Sequence, residues 1–270
     1  MMEKDAFLFT GRIAENYDKY LGPILFEPYG VEMARRANVT SVRACVLELA
    51  CGTGRVTKHL RDCFKEPVKL TATDLSADML QLAESKLGDL GIEFRVEDAQ
   101  NLSFAEDTFD LIVCQFGFMF LPDKKKGLSE MLRVLKPGGR LMLSTWESTE
   151  NIPLLQWVFN GCILEAFKTE EEGRLLVPFS LHNQAQLEEW FQETGFKNIE
   201  SVRVVLQSGA ATPDEIADAF FRKHSIGQQV LAANPAAFEQ TAQKIITGIK
   251  ERFAHDKTFG LAAFFVSGEK

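Results

Sequence analysis

Val46-Leu-Glu-Leu-Ala-Cys-Gly-Thr-Gly54 is an apolar, strand-like run that ends in a glycine-bearing turn, and residues 55–64 behind it have the spacing of an amphipathic helix. A strand that feeds a helix through such a turn is a general ligand-binding device. Glycines let the backbone approach the ligand, and the first turn of the helix offers N–H donors with no partner inside the helix. The turn reads Glu48-x-Ala50-x-Gly52-x-Gly54, and the place where a dinucleotide fingerprint would carry its third glycine holds Thr57. Alone, the turn is a weak marker for any cofactor.

On either side of it the chain keeps one rhythm. Strand-like runs at 44–50, 68–74, 92–96 (which alternates apolar and charged), 109–116 and 140–146 interleave with amphipathic stretches at 55–64, 76–87 and 125–135. That is the pattern of a parallel sheet with crossover helices. Ser76 can cap the second helix, with Asp78 in its first turn, and Lys136-Pro-Gly-Gly139 stops the third. After Trp146 the rhythm loosens. Helical patterns occupy 152–167, 184–194 (closed by Gly195) and most of 213–252, with a break at Asn234-Pro235. Residues 202–206 and 259–266 are strand-like, and Glu170-Glu171-Glu172 is a solvated acidic patch. With no repeat and no low-complexity linker, one domain over residues 1–270 is expected.

Two further strand ends carry polar groups suited to one ligand. Asp74, twenty residues after Gly54 at the carboxyl end of the second strand, can accept hydrogen bonds from both hydroxyls of a ribose. It can equally serve as a helix N-terminal charge ahead of Ser76. Past the third strand, Asp98 can accept from an adenine amino group while the backbone of Ala99 addresses a ring nitrogen; taken singly, Asp98 is an ordinary loop acid. In open α/β sheets ligands lie outside the carboxyl ends of the strands, so the three ends together form the signal.

Val46–Gly54, Thr73-Asp-Leu-Ser-Ala-Asp-Met79, Glu97-Asp-Ala99, Phe109-Asp-Leu-Ile-Val-Cys-Gln-Phe116 and Arg133-Val-Leu-Lys-Pro-Gly-Gly139 resemble, in order and spacing, the class I S-adenosylmethionine (SAM)-dependent methyltransferases. The resemblance covers about residues 44–147 and is closest to the group of ubiquinone/menaquinone C-methyltransferases and small-molecule methyltransferases. It implies an α/β, Rossmann-like, doubly wound sheet of seven mostly parallel strands with a final antiparallel strand, a helical lid over residues 1–40, a cofactor core at 41–149 and helical acceptor-side insertions at 150–270. Carried over, it has Glu48, Ala50, Gly52, Thr53 and Gly54 frame the methionine portion of SAM, with Gln115 beside them. Asp74 would take the ribose hydroxyls, Leu75 and Met79 pack on the adenine, and Asp98 and Ala99 read its edge. Ala50 stands where the family's turn usually has its first glycine, at the expected cost of a methyl of clearance. S-adenosylhomocysteine would be the product.

The segment before the core holds Phe7, Phe9, Tyr17, Tyr20, Phe26 and Tyr29. The resemblance places Tyr17 near the methionyl end of the cofactor, while an aromatic stripe packed on the sheet explains the same residues equally well. Gln115-Phe-Gly-Phe-Met-Phe-Leu121 can floor an apolar acceptor pocket or be ordinary core, and Trp146, Trp157, Phe159 and Phe179 are candidates to complete the pocket. No catalytic residue is assigned. Among candidate bases, His182 is the best placed, His59 is expected to face solvent, and His224 and His255 are expected on the surface.

A net charge of −8 argues against a nucleic-acid partner, because phosphates call for clustered Lys and Arg, and Lys124-Lys125-Lys126 is too short to change that. Five scattered cysteines without metal-ligand spacing, no apolar leader and no bilayer-length apolar stretch make a cytoplasmic protein without a metal or membrane-integral segment the expectation. A small-molecule methyltransferase with an apolar or aromatic acceptor is the leading reading. A non-catalytic SAM-binding regulator and an NAD-dependent oxidoreductase stay open beside it, the latter disfavoured by Thr57 and by Asp98.

Overall fold

The computed structural model describes residues 12–39, 43–64, 67–166, 175–253 and 256–270. Its strands are β1 (Cys45–Leu49), β2 (Lys69–Asp74), β3 (Ile92–Val96), β4 (Phe109–Gln115), β5 (Leu135–Trp146), β6 (Lys197–Gln207) and β7 (Gly260–Glu269). They form one sheet in the order β3-β2-β1-β4-β5-β7-β6. The first five run parallel, and β7 runs antiparallel to both β5 and β6. The order reverses between β1 and β4, so the crevice that a ligand would use opens above the carboxyl ends of those two strands. Strand β1 and its neighbour β4 are almost wholly buried, which accounts for their continuous apolar sequence.

The helices before and between the first five strands are α1 (Arg12–Asn16), α2 (Glu27–Arg36), α3 (Arg55–Cys63), α4 (Ala77–Leu87) and α5 (Lys124–Val134). Between α1 and α2 the chain continues without a break as a π-helical segment, Tyr17–Phe26, which contains Pro23. Local chemistry explains where the crossover helices begin. Ser76 Oγ accepts from the N–H of Met79, and the Asp123 carboxylate accepts from that of Lys126. The two faces of the sheet are covered by different helices. On α2, Tyr29 is fully buried and packs on Phe265, whereas Phe191 lies against Gly268, which has the opposite parity on β7.

Phe191 belongs to α8 (Gln184–Thr194), and the later helices are α6 (Pro153–Leu155), α7 (Leu164–Ala166), α9 (Pro213–Ala217), α10 (Ser225–Ala233) and α11 (Pro235–Arg252). Sequence spacing merges several of these. The stretch expected as one helix over 152–167 has a π-helical centre, Gln156–Ile163, and the stretch over 213–252 breaks a second time after a π-helical turn, Asp218–Arg222. There His224 starts α10, its Nδ1 accepting from the N–H of Ile226. Strand β6 is longer than the expected 202–206. It is an edge strand, mostly exposed and held by its backbone pairing to β7, so apolar alternation marks only part of it. Strand β5 begins at Leu135 and takes up Lys136–Gly139 as a bulge, seen as a jump from Phe109↔Leu135 to Leu111↔Arg140. The acidic patch at 170–172 lies outside the described residues. None of the described helices is long and apolar enough to cross a membrane.

Candidate functional site

The site is built at the carboxyl ends of β1, β2 and β4. As β1 leaves the sheet, the chain enters the left-handed region at Ala50 (φ 52°), Gly52 (56°) and Gly54 (85°). This winding turns the N–H of Gly52 onto Asp74, whose Oδ2 accepts it at 2.8 Å while Oδ1 accepts from Ser76 at 2.8 Å. Asp74 therefore joins the end of β2 to the turn. Burial raises its carboxyl above the usual range, and the N–H donors of Ser76, Gly52 and Leu75 hold that rise back. Glu48 is 2% exposed, with Oε2 free of any hydrogen bond. Burial pushes its carboxyl up to about 8, with Thr57 opposing the rise and Asp74 adding to it.

Beside the turn, Gln115 donates from Nε2 to the Phe26 carbonyl at 3.4 Å, and its Oε1 is buried without a partner. Above lies the π-helical segment. Tyr17 stacks on Phe26 at 4.9 Å, and Phe26 in turn meets Phe116 (5.8 Å) and Trp146 (6.1 Å), which are stacked face to face at 3.9 Å. Burial, with the charge of Asp74 second, raises the Tyr17 phenol far above its ordinary value, so it stays protonated. Past β3, Asp98 accepts from the Gln100 N–H at 2.8 Å. Its neighbour Glu97 is engaged by Ser103 and Arg95 and braces the loop.

Residues 46–139 match a sequence profile described as a methyltransferase domain. A demethylmenaquinone methyltransferase of Lactiplantibacillus plantarum is 35% identical over 181 residues, which span 62% of this chain and 76% of that protein. The chain belongs to the class I SAM-dependent methyltransferases. A demethylmenaquinone methyltransferase of Staphylococcus epidermidis is 29% identical over 201 residues, covering 69% of this chain and 83% of that one. Among solved structures, phosphoethanolamine N-methyltransferase 2 of Haemonchus contortus in complex with SAM superposes with a TM-score of 0.62 at 18% identity, over 98% of this chain and 58% of that chain. A [4+2]-cyclase, SpnF, superposes with 0.59 at 16% identity, over 96% and 92%. That a cyclase shares the architecture shows why the chemistry of this methyltransferase must be argued from its site rather than its fold.

The residues present fit a donor of the SAM kind. Two buried acceptor atoms, Glu48 Oε2 and Gln115 Oε1, have no partner, and an ammonium could satisfy such atoms. Gly52 has open space where a Cβ would stand, and Asp74 sits beside it. The turn contains no lysine, in keeping with a cofactor that has no phosphate. Of the residues expected at the site, Glu48, Ala50, Gly52, Asp74, Gln115 and Tyr17 converge around the turn. Leu75 is 64% exposed beyond it, and Met79 is buried on α4. Asp98 and the half-buried Ala99 stand at the β3 end. Gly54 and Thr53 also have work elsewhere: Gly54 lies against Ala83 and Leu87 of α4, and the Thr53 hydroxyl donates to Asp18 at 2.6 Å.

Several expectations are corrected. Ala50 costs more than a methyl of clearance, because it also takes a positive φ. Of the two placements open for the stretch after β4, Phe118 and Met119 take the buried one, with Phe118 edge-on to Trp190 at 6.5 Å. Trp157 has no ring pair with another aromatic among the described residues, and Arg252 lies over its ring at 4.0 Å. His59 is bonded to Glu27 at 2.8 Å instead of facing solvent. His224 is half-buried, and burial takes its imidazole down to about 4. His182 is exposed, its Nδ1 at 2.8 Å from the Phe179 carbonyl. His255, Phe7 and Phe9 lie outside the described residues. Sequence reasoning missed Asp18 and Arg55, and it read Thr57 only as the place of an absent glycine. The one local signal was the adjacency of Asp18 to Tyr17.

Proposed function

We propose that this methyltransferase moves the methyl group of SAM onto an apolar, ring-bearing small molecule, acting as one cytoplasmic domain on a partner that is not a nucleic acid. The observation that carries the reading is the aromatic wall of half-buried Tyr17 and Phe26, which is backed by the buried stack of Phe116 on Trp146 and reaches the strand ends through the bond of Gln115 to the Phe26 carbonyl. A flat apolar acceptor is the ligand such a wall suits. Two of the relatives are named for demethylmenaquinone, a quinone acceptor, which supports the same class.

SAM, when bound, supplies a methyl group activated on a sulfonium. The residues of this chain then have three tasks. Glu48 and Gln115, through buried acceptor atoms, and the half-buried Asp74 and Asp98 would hold the donor. The wall would orient the acceptor and exclude water. Tyr17, held protonated, would donate a hydrogen bond and take no proton away.

Incubating the enzyme with a cell extract and methyl-labelled SAM, followed by mass spectrometry, tests the reading. Label in the organic-soluble fraction, on a ring-bearing compound, is expected. Label confined to water-soluble compounds, nucleic acid or protein would overturn it.

A further inference from the structure

We propose that Arg55 is a positioning residue: its guanidinium clasps the π-helical segment at both ends and thereby seats Tyr17 over the cofactor turn. The inference rests on the reading of that turn as the SAM site.

Arg55 is the first residue of α3, directly after Gly54. Its Nη1 donates to Glu27 at 2.9 Å, and its Nη2 bonds the Asp18 carbonyl and lies 3.3 Å from the Asp18 carboxylate. Asp18 and Glu27 bracket the segment, one beside Tyr17 and the other beside Phe26. Between them the side chain crosses the backbone at Gly22, where any Cβ would overlap the guanidinium. A planar fork can reach both acids at once, which a lysine ammonium cannot.

The neighbouring charges serve the same closure. Asp18 also accepts from Thr53 (2.6 Å) and Lys86 (3.0 Å), and Glu27 is bonded to His59 at 2.8 Å. Thr53 lies in the turn itself, so the clasp and the turn are joined through one acid. The Nε–H of Arg55 is buried with no partner. The side chain is therefore held by the two acids, at the expense of one of its own donors. Among the described residues its hydrogen bonds go to Asp18 within the segment and to Glu27 directly after it, so it acts through Tyr17 and Phe26.

Two readouts test this. Hydrogen exchange over residues 17–26 in the ligand-free protein reads the clasp without any cofactor. Arg55→Gln and Glu27→Gln should both speed exchange there while leaving the central strands protected. Unchanged exchange would refute the clasp, whether or not SAM binds. In the second readout, SAM dissociation is followed after a chase with S-adenosylhomocysteine. Arg55→Gln should speed it at least about tenfold, the scale expected when charge-assisted hydrogen bonds are lost. Arg55→Lys should not restore it. The double variant should be no faster than Arg55→Gln alone, because one clasp is broken in both. Effects that simply add would make Arg55 a direct ligand of the cofactor and sink the proposal. A wild type that binds no SAM would overturn the site reading instead, with the exchange data still deciding the clasp. Glu27→Gln keeps size and lies away from the turn, so it guards against misfolding of Arg55→Gln.

Discussion

Ala50 and Gly117 share one space: a Cβ at 117 would collide with the methyl of Ala50 and would also stand only 3.1 Å from the Cys114 sulfur. The two residues close the ends of adjacent strands, β1 and β4. Ala50 is left-handed at φ 52°, and so is Phe116, next to Gly117, at φ 52°. Alanine at the first position of the turn is thus matched by glycine at 117. Left-handed non-glycine residues cost about 1–2 kcal/mol each and persist where the surroundings fix them, often at functional sites.

The pairing predicts a rescue. Gly117→Ala should destabilise the protein by about 1–3 kcal/mol through overpacking. Adding Ala50→Gly should restore most of the loss, since it removes both the methyl and the strained φ. Thermal unfolding of the two single variants and the double variant measures this. Independent, additive effects would show that the two sites do not share the space.

Glu48 makes stability depend on pH in a stated direction. Its folded value, about 8, lies above that of an unfolded glutamate, about 4.3, so the folded protein binds the extra proton between them. Its contribution is full below the unfolded value and is lost as pH rises through about 8. Glu48→Gln, neutral throughout, should flatten the fall in melting temperature between pH 5 and pH 8. An equally steep fall in the variant would assign the slope to other groups. Binding a cationic donor should also expel the proton, seen at pH 7 as a calorimetric heat that varies with the ionisation enthalpy of the buffer.

Asp74 joins the turn to the end of β2, and its proposed part in holding SAM can be separated from that structural one. Asp74→Ala should weaken SAM binding at least about tenfold, because charged hydrogen bonds are lost. It should also lower stability by about 1–3 kcal/mol, because the N–H groups of Gly52 and Ser76 lose their acceptor. Calorimetry well below the melting point isolates the first effect. Unchanged affinity there would remove Asp74 from the site while leaving its structural role intact.

What the sequence made legible follows from range. Strands β1 to β4 were readable because each is a short strand-like run, apolar in β1 and β4 and alternating in β3, and helices α3 to α5 because their amphipathic spacing is local. The register that brings Glu48, Asp74 and Gln115 together follows from that alternation. The closure does not. Asp18 and Glu27 meet Arg55 across 37 and 28 residues, and no periodicity reports such a charge pairing. The positive φ of Ala50 was hidden for a related reason, since its compensation lies at Gly117, on another strand. Phe118 and Met119 stayed open between pocket and core because composition marks apolar character, and the packing around them decides where it faces.

Tyr17 supplies the last prediction. Burial and the charge of Asp74 keep its phenol protonated well beyond the usual range, so it contributes as a donor and a stacking ring at every working pH. Methyl transfer measured from pH 7 to pH 10 should therefore show no alkaline change that Tyr17→Phe abolishes. Tyr17→Phe should keep the stack on Phe26 and lose only the hydrogen bond of the hydroxyl, about 0.5–1.5 kcal/mol in SAM affinity. Tyr17→Ala should lose the stack as well, a further 0.5–1.5 kcal/mol or so for an aromatic pair. If an alkaline limb is present in the wild type and absent in Tyr17→Phe, the phenol ionises during turnover, and Tyr17 is a base rather than part of the wall.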